Sequence, residues 1–175
     1  MEEDYLLNHG VPVAHLIPME PVFLINPGSG KAIPDCISNT ADLLLVGEGL
    51  KEYLREHSGA NIEFIPSRVK NHRGRLLTRS FYVANVLGAV ACIDRKKSDI
   101  EWFDSDNASC IKRLVLNQKK IPKDTKLFRL ANSSGAFLLR EDFCRELFEK
   151  GPSKGASFIP VADYGYEWRT SEAAT

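Results

Sequence analysis

Two stretches of this chain carry nearly the same message, and that repetition limits the fold more than any other feature. Lys126–Pro160 (KLFRLANSSGAFLLREDFCRELFEKGPSKGASFIP) reads as strand, turn, strand, helix, strand. Leu127, Phe128 and Leu130 make KLFRLA apolar around Arg129, Ser133–Gly135 supply a turn, and AFLL is a second short apolar run. Glu141 and Asp142 put negative charge in a first helical turn, where the dipole favours it. Phe143, Cys144, Leu147 and Phe148 form one stripe at helical period, opposite Arg145, Glu146, Glu149 and Lys150. Gly151 and Pro152 predict the helix end, since glycine accepts a left-handed cap and proline cannot continue. ASFIP is then expected to return as a strand.

Val46–Pro66 (VGEGLKEYLREHSGANIEFIP) repeats that order. Val46, Leu50 and Leu54 correspond to Leu139, Phe143 and Leu147 at one constant offset, as Glu48 does to Glu141 and Glu56 to Glu149. One inserted residue later, Phe64-Ile65-Pro66 corresponds to Phe158-Ile159-Pro160. Two copies do not make a solenoid, which needs at least three stacked units. The pattern predicts one α+β domain over residues 1–175, with a mostly antiparallel sheet and two related helix–strand units.

Elsewhere the apolar runs are strand-like. VPVAHLI and VFLIN are short and Pro-flanked, which suits sheet edges. Asn26–Ser38 and the basic Arg68–Arg75 read as loops. FYVANVLGAVACID reads as a strand bent at Gly88, and SDIEWF and IKRLVLN as the next strands of a meander. Tyr5, Leu6 and Leu7 would tie a polar lead-in to the body.

Charge narrows the function. Lys+Arg and Asp+Glu both number 23. Zero net charge argues against a nucleic-acid binder working through bulk positive charge. The N-terminus is acidic without a long apolar core, so no secretory signal is expected, and no run is apolar for the length of a membrane span. The four cysteines are spaced for neither a zinc knuckle nor a redox pair, and Cys92 and Cys144 sit in apolar runs as small buried residues. Together these features point to the cytoplasm.

The search for chemistry is short. Gly28-Ser29-Gly30-Lys31 resembles the end of a phosphate loop, and a nucleotide- or phosphate-binding enzyme is the alternative it offers. The full loop needs an earlier glycine where Ile25 stands and a Ser or Thr where Ala32 stands, and Pro34 opposes the helix that would follow. No serine lies in a GxSxG elbow. His9, His15, His57 and His72 make no metal-ligand spacing. Asp104-Ser105-Asp106-Asn107 starts like a calcium loop but lacks the turn glycine and the closing glutamate. Asp94–Asp99 is a dense charge cluster that fits a solvated turn or a polar contact surface. No catalytic residue, metal ligand or cofactor site is assigned, and binding becomes the expected mode of action. A self-associating structural protein is a further alternative.

Three stretches resemble the immunity protein eleven family of bacterial polymorphic toxin systems. Phe81–Trp102 matches its central segment at Tyr82, Asn85, Asp94 and Ser98. Lys126–Pro160 is similar to its C-terminal segment, and Gly49–Pro66 to its N-terminal unit. Together they span residues 42 to 160. Where the family has a serine at each helix start, this chain has Gly47 and Arg140; glycine serves as an N-cap, whereas Arg140 cannot accept the helix N–H groups. The resemblance implies a cytoplasmic α+β protein that binds a cognate toxin and occludes its active site, with no enzymatic activity and no nucleic-acid or membrane partner. Two aromatic clusters are the candidate contact residues: Trp102, Phe103, Asp104 and Asp106, and Tyr164, Tyr166 and Trp168.

Overall fold

The computed structural model describes residues 7, 9–17, 20–25, 33–133 and 135–165. Its elements in order are β1 (Val22–Leu24), β2 (Cys36–Ile37), β3 (Leu45–Gly47), α1 (Glu48–His57), β4 (Ile62–Lys70), β5 (Phe81–Val86), β6 (Asp99–Trp102), β7 (Ala108–Arg113), β8 (Leu127–Arg129), β9 (Phe137–Leu139) and α2 (Glu141–Lys150). A five-stranded sheet runs β1-β4-β5-β3-β2, and β6-β7 and β8-β9 are separate hairpins. Among the strand pairings of the described residues only β1–β4 is parallel, and Val90 and Leu130 add one isolated parallel bridge. The fold is α+β and mostly antiparallel, as the sequence pattern predicts.

Alternation along β4 and β5 divides the apolar residues between two faces. Ile65, Val69, Phe81 and Val83 join Leu45, Ile37, Leu7 and Val13 on one face. Phe64, Ala84 and Val86 face the other way, where they meet the helices. There the repeated residues converge: Val46, Leu50 and Leu54 pack with Phe143 and Leu147, and Leu139 packs against them. Tyr53 of α1 stacks on Phe143 of α2 with ring centroids 6.0 Å apart. A third cluster, around Cys92, Ile93, Leu114, Phe128 and Leu130, holds the two hairpins together.

The helix starts fall where the sequence places them. Neither N-cap, Gly47 or Arg140, contributes a side-chain bond. Arg140 instead grips Asp142 through two bonds of 2.7 and 2.6 Å and donates to the Lys123 carbonyl. That grip pulls the Asp142 carboxyl down to about 2.

Several expectations are corrected. VPVAHLI is not a strand: Ala14–Leu16 is a 3₁₀ turn. The Glu63 carboxylate accepts the N–H groups of Val13 and Ala14 at 2.9 and 3.1 Å, and Asn85 donates to both Glu63 and the Val11 carbonyl, so side chains of the sheet take bonds a strand partner would have made. Burial opposes ionisation of Glu63, but these donors together hold its carboxyl below the usual range. Arg68–Lys70 are strand rather than loop, because Arg68 N–H reaches the Pro21 carbonyl and the Lys70 carbonyl accepts from Ile25. Cys36–Ile37, read as loop, pair with β3, whereas residues 26–32 lie outside the described residues. β5 stops at Val86 and Gly88 bends the chain at φ +74°. In the meander, β7 begins earlier than predicted and ends at Arg113; Leu116 adds only an isolated bridge to Ile93.

The second unit departs most. Ala156–Pro160 forms no strand; Phe158 packs against the helix cluster and edge-on to Phe148, 5.2 Å away. Gly151 has φ −95°, so it is not a left-handed cap. It is needed for space, since a Cβ there would lie 2.7 Å from Leu147 Cδ1. Arg129, expected among apolar neighbours, is itself buried at 2% exposure. It donates to the carbonyls of Leu7 and Val86, and its guanidinium lies 4.6 Å from the Phe137 ring centroid. Burial lowers its pKa to about 10.

Candidate functional site

The β6–β7 hairpin presents the first aromatic cluster. Its register shifts twice, between Asp99 and Ile100 and between Glu101 and Trp102. Such irregularities raise local twist and re-aim side chains. Trp102 is half-buried against the third apolar cluster. Phe103, one residue on, is 82% exposed. A phenylalanine so displayed loses the burial worth about 1.5–3 kcal/mol that its type ordinarily gains.

The turn beneath Phe103 is fastened on every side. Phe103 N–H donates to the Asn107 carbonyl at 2.8 Å. Asp104 Oδ1 accepts the backbone N–H of Asp106 and Asn107 at 2.8 and 2.7 Å, and both of its oxygens accept from the Asn107 amide. The Asn107 side chain, then the two backbone donors, hold the Asp104 carboxyl below the usual carboxylate range. This is an Asx-type cap with its oxygens committed to N–H donors, not a cation loop. Among the described residues no three His, Cys, Asp or Glu side chains gather as metal ligands would.

Two further residues brace the tip. The Arg95 guanidinium sits 4.0 Å from the Trp102 ring centroid, donates to the Ser105 carbonyl and lies 3.6 Å from the Asp106 carboxylate. Asn132, in the β8–β9 turn, donates to the Asp106 carbonyl at 2.7 Å, and its own carbonyl accepts from Ala108. Asp94 and Ser98 shape the approach to β6: the Asp94 carboxylate accepts from Lys96 N–H, and the Ser98 hydroxyl exchanges bonds with Val115.

Of the second cluster, Tyr164 packs on the third apolar cluster beside Trp102, and Gly165 lies close enough to β7 that a Cβ would meet the Lys112 carbonyl. Tyr166 and Trp168 lie outside the described residues. The structure therefore brings Trp102 and Tyr164 to one cluster as packing residues and leaves Phe103, Asp104 and Asp106 at the surface. Sequence reasoning placed Arg95 in an undifferentiated charge cluster and missed Asn132. Neither pattern nor spacing signals contacts that close only when two hairpins dock.

All four cysteines are free thiols, and burial, helped by Asp35, pushes Cys36 up to about 11. Among the described residues no helix is long and apolar enough to cross a membrane. The Gly28–Lys31 loop lies outside the described residues. Tyr82 and Asn85, two positions of the family resemblance, make structural bonds, to Glu48 at 2.6 Å and to Glu63 at 3.1 Å. A family model described as "Immunity protein family (Imm11)" matches residues 3–163. No curated protein matches the chain.

Proposed function

The chain belongs to the Imm11 immunity protein family, and from that premise we propose that it binds a cognate bacterial toxin in the cytoplasm and occludes the toxin's active site with the β6–β7 tip. The observation that carries this reading is Phe103: a large apolar side chain, 82% exposed, on a turn whose backbone is fixed by Asp104, Asn107, Arg95 and Asn132. A rigid aromatic anchor loses little conformational freedom on docking, so more of its burial appears as affinity. Arg95, stacked on Trp102, supplies the cation such anchors often accompany, and Asp106 offers an exposed acceptor beside it. A block of this kind needs no catalytic residue, metal or cofactor.

The test is co-expression with the toxin encoded by the reading frame beside this chain's own gene. The wild-type chain restores growth. Phe103→Ala keeps its thermal unfolding midpoint but loses roughly thirtyfold in toxin affinity, about 2 kcal/mol. Unchanged affinity in Phe103→Ala removes the tip from the interface; absence of protection by the wild type removes the immunity role altogether.

A further inference from the structure

The five-stranded sheet is covered unevenly on its helix side. α1 ends its coverage at Tyr82, whose hydroxyl donates to Glu48 at 2.6 Å and whose ring lies 4.0 Å from Lys51 Nζ. Beyond Tyr82 the register sets out two outer rows. Val22 lies opposite Arg68; Leu24 lies opposite Lys70, which is bridged in turn to Leu76. Val22, Leu24 and Leu76 are all exposed large apolar residues, Leu24 at 64%. A groove of about 270 Å³ runs beside them, lined in part by Glu20, Arg68, Thr78 and Ser80.

Apart from Glu20, the charge on this face is positive. From Phe64 to Ile93 every formally charged side chain is basic: Arg68, Lys70, Arg73, Arg75 and Arg79. Arg79 is engaged by Asp35, and Arg68 reaches Glu20 only at 4.0 Å. Among the described residues no carboxylate lies within ion-pair distance of Lys70, Arg73 or Arg75. The turn that carries them is preset. Asn71 Oδ1 accepts from Arg73 and Arg75 N–H at 2.9 and 3.0 Å, Gly74 N–H returns to the Asn71 carbonyl, and Gly74 holds φ +74° with open space around it.

We infer that these outer rows and the Asn71–Arg75 turn form a second docking surface, built for an acidic protein partner. Aliphatic residues interleaved with unpaired cations match a surface on which carboxylates flank apolar side chains. A nucleic acid is the poorer match: no aromatic lies among the exposed residues of the two rows for a base to stack on, and the chain carries no net positive charge. The inference stands apart from the Phe103 tip and holds whether or not the same partner uses both.

The experiment titrates the full, nitrogen-15-labelled chain with a short peptide of alternating Glu and Leu, and in parallel with single-stranded oligothymidylate. Amide signals of Val22–Leu24 and Lys70–Leu77 are expected to move with the peptide, less so in high salt. Arg73→Glu with Arg75→Glu weakens binding roughly fivefold or more, and Leu24→Ser weakens it independently. Shifts confined to other parts of the chain, an unaltered response in Leu24→Ser, or tighter binding of the oligonucleotide at these amides would each overturn the inference.

Discussion

β3–α1–β4 and β9–α2 bring matching residues to one apolar cluster, and then part company. After α1, Gly59 turns the chain at φ +66° and Phe64-Ile65-Pro66 enters a nine-residue strand. After α2, Gly151 stays at φ −95° and Phe158-Ile159-Pro160 pairs with no strand. The difference lies in what waits outside the helix. β4 finds β5 on one side and β1 on the other. Even Pro66 fits, because the even-numbered residues of β4 aim their N–H groups toward β1, as Arg68 does, and that pairing begins only at Arg68. A strand is thus decided by available edges as much as by its own residues.

If the two helices share one core, the largest losses fall on both units alike. Phe143→Ala should cost about 3–5 kcal/mol and Leu50→Ala about 2–5 kcal/mol in urea unfolding. The double variant should miss additivity, because both residues border the same cavity. Additive losses would mean the units are separately packed.

The two glycines sharpen the contrast. Gly59→Ala combines a left-handed residue with a Cβ driven into the Asp124 carbonyl oxygen and should cost about 3 kcal/mol or more. Gly151→Ala meets only crowding, against Leu147, and should cost about 1–3 kcal/mol. Equal losses would show the helix ends to be equivalent after all. In hydrogen exchange, the amides of Ile62–Val69 should be protected well beyond those of Ala156–Ile159; similar protection would restore the second strand.

The smallest effect concerns the helix starts. Arg140 lowers Asp142 to about 2, so the carboxylate stabilises the fold above its ordinary value of 3.8, and that stabilisation is lost as pH falls toward 2. Asp142→Asn should flatten the acid limb of the unfolding curve over that window, and at neutral pH it should lower stability slightly, since the pair is exposed. Glu48, held low by Lys51 and then Tyr82, gives α1 a separate acid response of the same sign.

Local order was legible wherever residues a few positions apart decide it. Leu50 and Leu54, or Phe143 and Leu147, announce a buried stripe, and the hairpin of β8 and β9 is visible from its apolar runs and turn. What stayed hidden depends on distant partners. Glu63 folds residues 13–16 into a turn from 49 and 50 residues away. Arg129 reads as one charge among the apolar neighbours of a strand and is a buried donor to backbone carbonyls. At the tip, the aromatic residues were readable as candidates, yet only docking of the hairpins separates Trp102, which packs, from Phe103, which does not.

The bond from Arg129 to the Leu7 carbonyl spans 122 positions. A ribosome adding about 5–20 residues each second needs roughly ten seconds to cover that distance. Throughout that interval Leu7 has been made and the Arg129 donor to its carbonyl has not. A half-made copy therefore lacks the buried cation that ties Leu7 to the last third of the chain, and only a finished molecule carries that tie.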